Sequence, residues 1–319
     1  MTPAAEARWW HPVAAAADLG TAPLTRRLLG QDLVLWRSGS DVLAFDDRCP
    51  HRGARLSLGS VVDGQLQCAY HGWCFDRAGA CVRVPALPAW SPPQSHAVAD
   101  WQVASAHGLL WVARQPHAAA PPALADVPGR QVVCGPYEVA TSAPRVVENF
   151  LDTAHFAFVH EGWLGDAAHA EVPGYDVAHT GDGRPMIERY RAWQPRASAS
   201  SRDGAWVDYR YEVLGPFCAL LLKRPEGDGP ADAYAAFACP QEEDRTLVWF
   251  MQFTSDVLTP DAALRQFQDS IFGQDRPVLE SQRPARLPLG GGEVHSAADR
   301  LSVAYRRWLI ARQVRFGTC

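Results

Sequence analysis

Three short stretches hold the residues best able to do chemistry. "CPHRG" (49–53) sets Cys49 two residues before His51, and "CAYHGW" (68–73) sets Cys68 three residues before His71. A thiolate is a soft ligand and an imidazole a borderline one, so two mixed pairs suit an iron–sulfur cluster or a structural zinc ion. Glycines follow both histidines, Gly53 and Gly72, and let backbone amides approach whatever the side chains hold. The third stretch, "ENFLDTAHFAFVHEG" (148–162), spaces Asn149, Asp152 and His155 three apart, roughly along one helical face. His160 comes five residues later, off that face in an ideal helix. His155 and His160 can share one metal only if the helix ends or distorts between them, and Gly162 is consistent with an end there. Two histidines and a carboxylate make the facial set that binds Fe(II) and leaves positions open for O2. The plain alternative is a pair of ordinary histidines on an amphipathic helix.

Short β elements must position the first two stretches. "DLVLWR" (32–37) and "DVLAFD" (41–46) flank a polar "SGS" turn and predict a hairpin. "CFDRAGAC" (74–81) predicts another, turning at Asp76 to Gly79, and "GLLWVAR" (108–114) a further strand. Cys74 and Cys81 are expected to be free thiols in a reducing compartment. Residues 115–130 are rich in Pro and Ala without a period, so a domain boundary is expected there, giving domains at 1–120 and 121–319.

In the second domain a helix should begin at Ser142 as N-cap, with Pro144 in its first turn. Alternating stretches at 186–193, 206–214, 217–224, 233–240 and 246–254 predict an antiparallel meander. A helix over 261–282, interrupted near Pro277, and a last helix over 298–314 complete an α+β fold. Trp163, Phe217, Trp249 and Met251 are candidates to line a pocket. Val207, Tyr209, Tyr211 and Val213 share one strand face, whose environment the alternation alone leaves open.

One Cys and one His per loop is the pattern of a Rieske [2Fe–2S] centre, with two Cys on one iron and two His on the other. "CPHRG…CAYHGW" resembles the motif of the Rieske non-haem iron oxygenases, and "NFLDTAHFAFVH" is similar to the N-x-x-D-x-x-H-x4-H signature of their catalytic domains. The resemblance covers nearly the whole chain. It implies an all-β Rieske domain followed by a catalytic domain of antiparallel sheet and helices, helix-grip-like. It also implies a cluster on Cys49, His51, Cys68 and His71, and a mononuclear Fe(II) on His155 and His160. The third ligand in the family lies in a late helix, in a pattern like D-x4-E-x-Q. "DRPVLESQ" (275–282) makes Asp275 the choice, with Asp269 and Glu280 as rivals. By the same resemblance Asp152 is not a ligand but joins His155 to a Rieske histidine of a neighbouring subunit, here His71. Asn149 would lie near the iron. Ala54 stands where high-potential Rieske proteins carry an extra cysteine, which implies a lower-potential cluster.

The resemblance further implies a terminal oxygenase that hydroxylates or oxidatively dealkylates a small cyclic or heteroaromatic substrate with O2. A head-to-tail homotrimer and a separate NAD(P)H-dependent flavin and iron–sulfur reductase belong to that picture. The stretches 160–166, 284–289 and 299–309, with Cys319, are most similar to the Rieske monooxygenases of saxitoxin biosynthesis. An electron-transfer protein or an aromatic O- or N-demethylase is the alternative.

Composition agrees with such an enzyme. The 319 residues are 47% hydrophobic and 20% charged, enough for a sizeable core, and the formal charge of −5 gives no footprint for nucleic acid or an anionic membrane. There is no apolar run of membrane-spanning length, no signal-peptide pattern at the start and no GxGxxG-type nucleotide fingerprint. A cytoplasmic protein is expected.

Overall fold

The computed structural model describes residues 5–124, 129–195, 204–226 and 231–319. It divides into two compact units, Met1–Pro121 and Pro122–Cys319.

The first unit is built of short strands: β1 (His11–Ala15), β2 (Leu24–Leu28), β3 (Gln31–Ser38), β4 (Asp41–Asp46), β5 (Ser60–Val62), β6 (Gln65–Gln67), β7 (Cys74–Phe75), β8 (Cys81–Arg83), β9 (Asp100–Ala106) and β10 (Leu109–Ala113). Six of them form an antiparallel sheet in the order β1-β10-β9-β4-β3-β2, and β5 to β8 form a second, four-stranded sheet. The expected β3–β4 hairpin is present. Ser38 pairs with Asp41 across two residues, and Gly39 takes the positive φ of +62° that so tight a turn needs. In the β7–β8 hairpin, Asp76 Oδ1 accepts from the amides of Ala78 and Ala80. Cys74 and Cys81 are free thiols. Trp36 and Phe45 pack with Leu56, Leu66 and Phe75 into a core that includes Cys49 and Cys68. The two cysteine loops are thus tied into packed β structure.

The second unit continues with β11 (Arg130–Val139), α1 (Ala143–Leu151), α2 (Phe156–Val159), β12 (Ala178–His179), β13 (Pro185–Gln194), β14 (Ala205–Gly215), β15 (Cys218–Pro225), β16 (Asp232–Glu242), β17 (Arg245–Thr254), α3 (Asp261–Ser281) and α4 (Arg300–Ala311). The strands from β12 to β17 form the expected meander, and β11 closes the far edge in the order β11-β17-β16-β15-β14-β13-β12. Helix α3 packs on β11, and α1 packs on β16. The architecture is the expected α+β fold. Among the described residues, no helix is long and apolar enough to cross a membrane.

One local expectation is corrected and another is met. Helix α3 runs through Pro277 to Ser281 without interruption. Its buried residues Leu264, Gln268, Ile271, Phe272, Asp275 and Leu279 keep helical spacing across the proline, so packing outweighs the lost N–H. Ser142 occupies the N-cap of α1 and Pro144 its first turn, but the Ser142 hydroxyl makes no capping bond.

Candidate active site

The loops around Cys49 and Cys68 fold in the same way. The Cys49 amide donates to Ala54 O and the Gly53 amide to Cys49 O, at 2.8 and 2.9 Å. Likewise the Cys68 amide donates to Trp73 O and the Gly72 amide to Cys68 O, at 2.8 and 3.0 Å. Each turn needs left-handed backbone at its glycine, with φ of +72° at Gly53 and +69° at Gly72. Asp47 braces the first loop by accepting from the amide and hydroxyl of Ser57 at 2.7 and 2.6 Å.

These turns bring four donors together. Cys49 and Cys68 are buried, with their thiols beside one another. The rings of His51 and His71 have centroids 4.6 Å apart, and Trp73 stacks on His51 at 4.4 Å. Burial pushes the Cys49 thiol up to about 11, and the Cys68 thiol beside it adds to the shift. A metal reverses that balance by supplying positive charge to adjacent thiolates. Two buried sulfurs beside two less buried imidazoles fit a Rieske cluster's donor set.

In the second unit the helix does break where two histidines need it to. Helix α1 ends at Leu151, because Asp152 turns extended and its Oδ1 accepts from the Ala154 amide at 2.7 Å. Helix α2 is a single turn, and His160 follows as its cap. His155 and His160 come to face one another, with ring centroids 5.0 Å apart. Gly165 closes the next turn against α2, where a Cβ would lie 2.1 Å from Phe156 O.

Helix α3 supplies the carboxylate. His160 Nε2 lies 3.3 Å and His155 Nε2 3.6 Å from Asp275 Oδ1. One donor atom from each of the three residues falls within 4.8 Å of the others, so they can hold a metal ion. Asn149 Nδ2 donates to Asp275 Oδ1 at 3.3 Å. Asp152 Oδ2 sits 3.8 Å from His155 Nδ1. Burial holds His155 toward its neutral form, in which imidazole ligates a metal. The rivals to Asp275 are engaged elsewhere. Asp269 accepts from the Tyr137 hydroxyl at 2.5 Å, and Glu280 accepts from the Ala140 amide at 3.1 Å.

A cavity of about 670 Å³, counting its open mouth, reaches this triad. Phe150, Phe156, Tyr209, Tyr234, Phe250 and Phe267 supply aromatic walls. Gln194, Lys223 and Gln268 supply polar groups. Of the strand face shared by Val207, Tyr209, Tyr211 and Val213, Tyr209 lines the cavity. The expected lining residues Trp163, Phe217, Trp249 and Met251 are not part of it. On β17, Phe250 faces the cavity and its neighbours Trp249 and Met251 point to the other side of the sheet, as strand alternation requires. Gln274, beside Asp275, is a further site residue that spacing did not reveal: its Oε1 lies 2.8 Å from His160 Nδ1.

Comparison with known proteins agrees with this geometry. The Rieske [2Fe-2S] domain family model matches residues 9–103, and that of the vanillate O-demethylase oxygenase C-terminal domain matches residues 139–313. The chain belongs to the Rieske non-haem iron oxygenases. Its cofactors are a Rieske [2Fe–2S] cluster and a mononuclear iron, and it is a terminal oxygenase. Methylxanthine N1-demethylase NdmA of Pseudomonas putida is 32% identical, over 94% of this chain and 87% of the relative. Methylxanthine N3-demethylase NdmB of the same organism is also 32% identical, with the same coverage. The solved structure of NdmA with caffeine matches with a TM-score of 0.81 at 30% identity, over 96% of this chain and 90% of that one. As an oxygenase component, this oxygenase works in a system that includes a reductase.

Proposed function

We propose that the oxygenase oxidatively demethylates a planar, methylated heteroaromatic ring. The observation that carries this reading is the His155–His160–Asp275 triad opening into a cavity walled by aromatic rings. The names of the related N-demethylases support it. Cys49, His51, Cys68 and His71 hold the cluster, within a Rieske domain of residues 1–120. His155, His160 and Asp275 hold the iron, within a catalytic domain of residues 121–319.

When bound, the two iron groups supply stepwise electrons and O2 activation. The chain's residues do the rest. The aromatic walls bind a flat ring by stacking and exclude water from the reacting carbon. Asn149 orients the Asp275 carboxylate through its 3.3 Å bond. Asp152 steadies His155 and links it to the partner subunit's His71, the electron route in a head-to-tail homotrimer. The overall change consumes one O2, two electrons and two protons. It converts ring N–CH3 to ring N–H, formaldehyde and water.

The electrons come from a separate NAD(P)H-dependent reductase carrying flavin and an iron–sulfur centre, and the expected compartment is the cytoplasm. The likeness of 160–166, 284–289 and 299–309 to saxitoxin-biosynthesis monooxygenases speaks to lineage, and hydroxylation without carbon loss is the outcome that it would favour. The test is a screen of N-methyl and O-methyl rings with a surrogate reductase, reading formaldehyde. Release that stops in His155→Ala, with the Rieske electron paramagnetic resonance signal retained, supports the reading. Hydroxylated products without formaldehyde would replace dealkylation by hydroxylation.

A further inference from the structure

The cavity contains a charge that its aromatic walls do not explain. Lys223 is 4% exposed and lines the cavity from β15. In register it lies directly between Tyr209 on β14 and Asp232 on β16. Among the described residues its ammonium makes no hydrogen bond and no close ion pair, and Asp232 is the one charge acting on it. The Asp232 carboxylate opposes it in register and makes no close ion pair with it. Beside Lys223, the Tyr209 hydroxyl is buried with no hydrogen-bond partner. Gln194 also lines the cavity; its Nε2 donates one N–H to Leu164 O at 3.1 Å, and its Oε1 is buried without a hydrogen-bond partner. Lys223 and Tyr209 are thus adjacent donors, and among the described residues neither has a hydrogen-bond acceptor.

Burying an ammonium is costly unless a counter-charge meets it, and burying a hydroxyl is costly unless it is bonded. A strand with only a structural task would do better with an apolar residue at position 223. We propose that Lys223, with Tyr209 beside it, recognises a delocalised oxyanion on the substrate. The substrate is then a planar ring that carries an ionised oxygen as well as its methyl group. Burial lowers the Lys223 ammonium to about 8, and Asp232 opposes that shift, so the charge is still mostly present at neutral pH. An uncharged, fully methylated ring leaves the ammonium without a counter-charge. The inference rests on reading this cavity as the substrate cavity of a demethylating oxygenase.

Two kinds of ring offer the same chemistry: a ring whose own imide or enol is ionised, and a ring bearing a carboxylate. The experiment measures binding by calorimetry on the iron-loaded protein, without turnover. The probes are a trimethylated urate, a methoxybenzoate and neutral caffeine. The expected result is that at least one anion binds about tenfold or more tightly than caffeine. Lys223→Met should lower that preference by about tenfold to a hundredfold, and Lys223→Arg should retain part of it. Tighter urate identifies a ring oxyanion, and tighter benzoate a ring carboxylate.

Equal or tighter binding of caffeine by the wild type, no detectable binding of either anion, or a preference that survives Lys223→Met would overturn the proposal. The wild-type comparison alone decides the matter if the Met variant fails to fold. Formaldehyde release from the same rings separates the two readings. Anion preference without formaldehyde from any ring sinks demethylation and leaves the oxyanion site standing. Formaldehyde without anion preference does the reverse.

Discussion

Gln274 Oε1 lies 2.8 Å from His160 Nδ1, one residue before Asp275 on the same helix. One turn of α3 therefore presents the carboxylate and also fixes the ring it must work with. With Nδ1–H donated to the glutamine, His160 turns its Nε2 lone pair toward Asp275, 3.3 Å away. Gln274→Leu removes that acceptor without touching a ligand. Iron affinity should fall by about 10- to 100-fold. An Fe(II) titration checks this, and the Rieske signal should be unchanged.

Asp152 has two tasks that one substitution can separate. Its Oδ1 holds the turn that ends α1, and its Oδ2 faces His155 Nδ1 at 3.8 Å. Asparagine keeps an oxygen for the turn but loses the charge. Asp152→Asn should therefore retain both metal groups and lose most turnover. In a single-turnover experiment with O2 and substrate, the reduced cluster should stay reduced. Rapid cluster oxidation in the variant would remove Asp152 from the electron route.

The contrast between these residues explains what could be read from the chain. The Cys/His loops were legible because ligand spacing, glycine turns and flanking strands are all local. Asp275 was legible only through a family pattern. What separates it from Asp269 and Glu280 is the partner each finds across the fold, Tyr137 for one and the Ala140 amide for the other. The cavity lining was misplaced by one residue on β17. That strand is buried on both faces, so no polar alternation marks which side is inner. Lys223 lies near the end of the apolar stretch 217–224, and only its register opposite Tyr209 gives it a meaning.

His11 sets an acid limit on the first unit. It is 1% exposed on β1, its Nε2 lies 2.8 Å from Glu6 O, and burial lowers its pKa to about 4. The unfolded chain takes up this proton near pH 6.5, while the folded chain resists it until about pH 4. The stability contribution is thus complete above pH 6.5 and falls away as pH drops to 4, by about 3 kcal/mol in all. His11→Gln can still donate to Glu6 O and does not titrate. Urea unfolding at pH 7 and pH 5 should show a smaller loss in the variant than in the wild type. An equal loss would mean that other groups set the limit.

A largely buried ion network ties α1 to α4 and to the 284–293 segment. Arg306 on α4 donates through Nε and Nη2 to both carboxylate oxygens of Glu148, at 2.5 and 2.7 Å. It also reaches Glu293 at 2.5 Å and Pro288 O at 2.8 Å. Arg145 completes the ring, bonding Glu293 at 2.7 Å and Pro284 O at 2.9 Å. Glu148 immediately precedes Asn149, so this network anchors the end of α1 that supports Asp275. Arg306→Met strands a buried carboxylate at Glu148 and should cost about 3–5 kcal/mol. Adding Glu148→Gln should recover part of that loss, because the uncompensated charge is gone. The urea midpoint measures both. Because the damage lies in the second unit, Arg306→Met should lose its third iron at lower urea than its cluster absorbance, an order that uniform destabilisation of the chain would not produce.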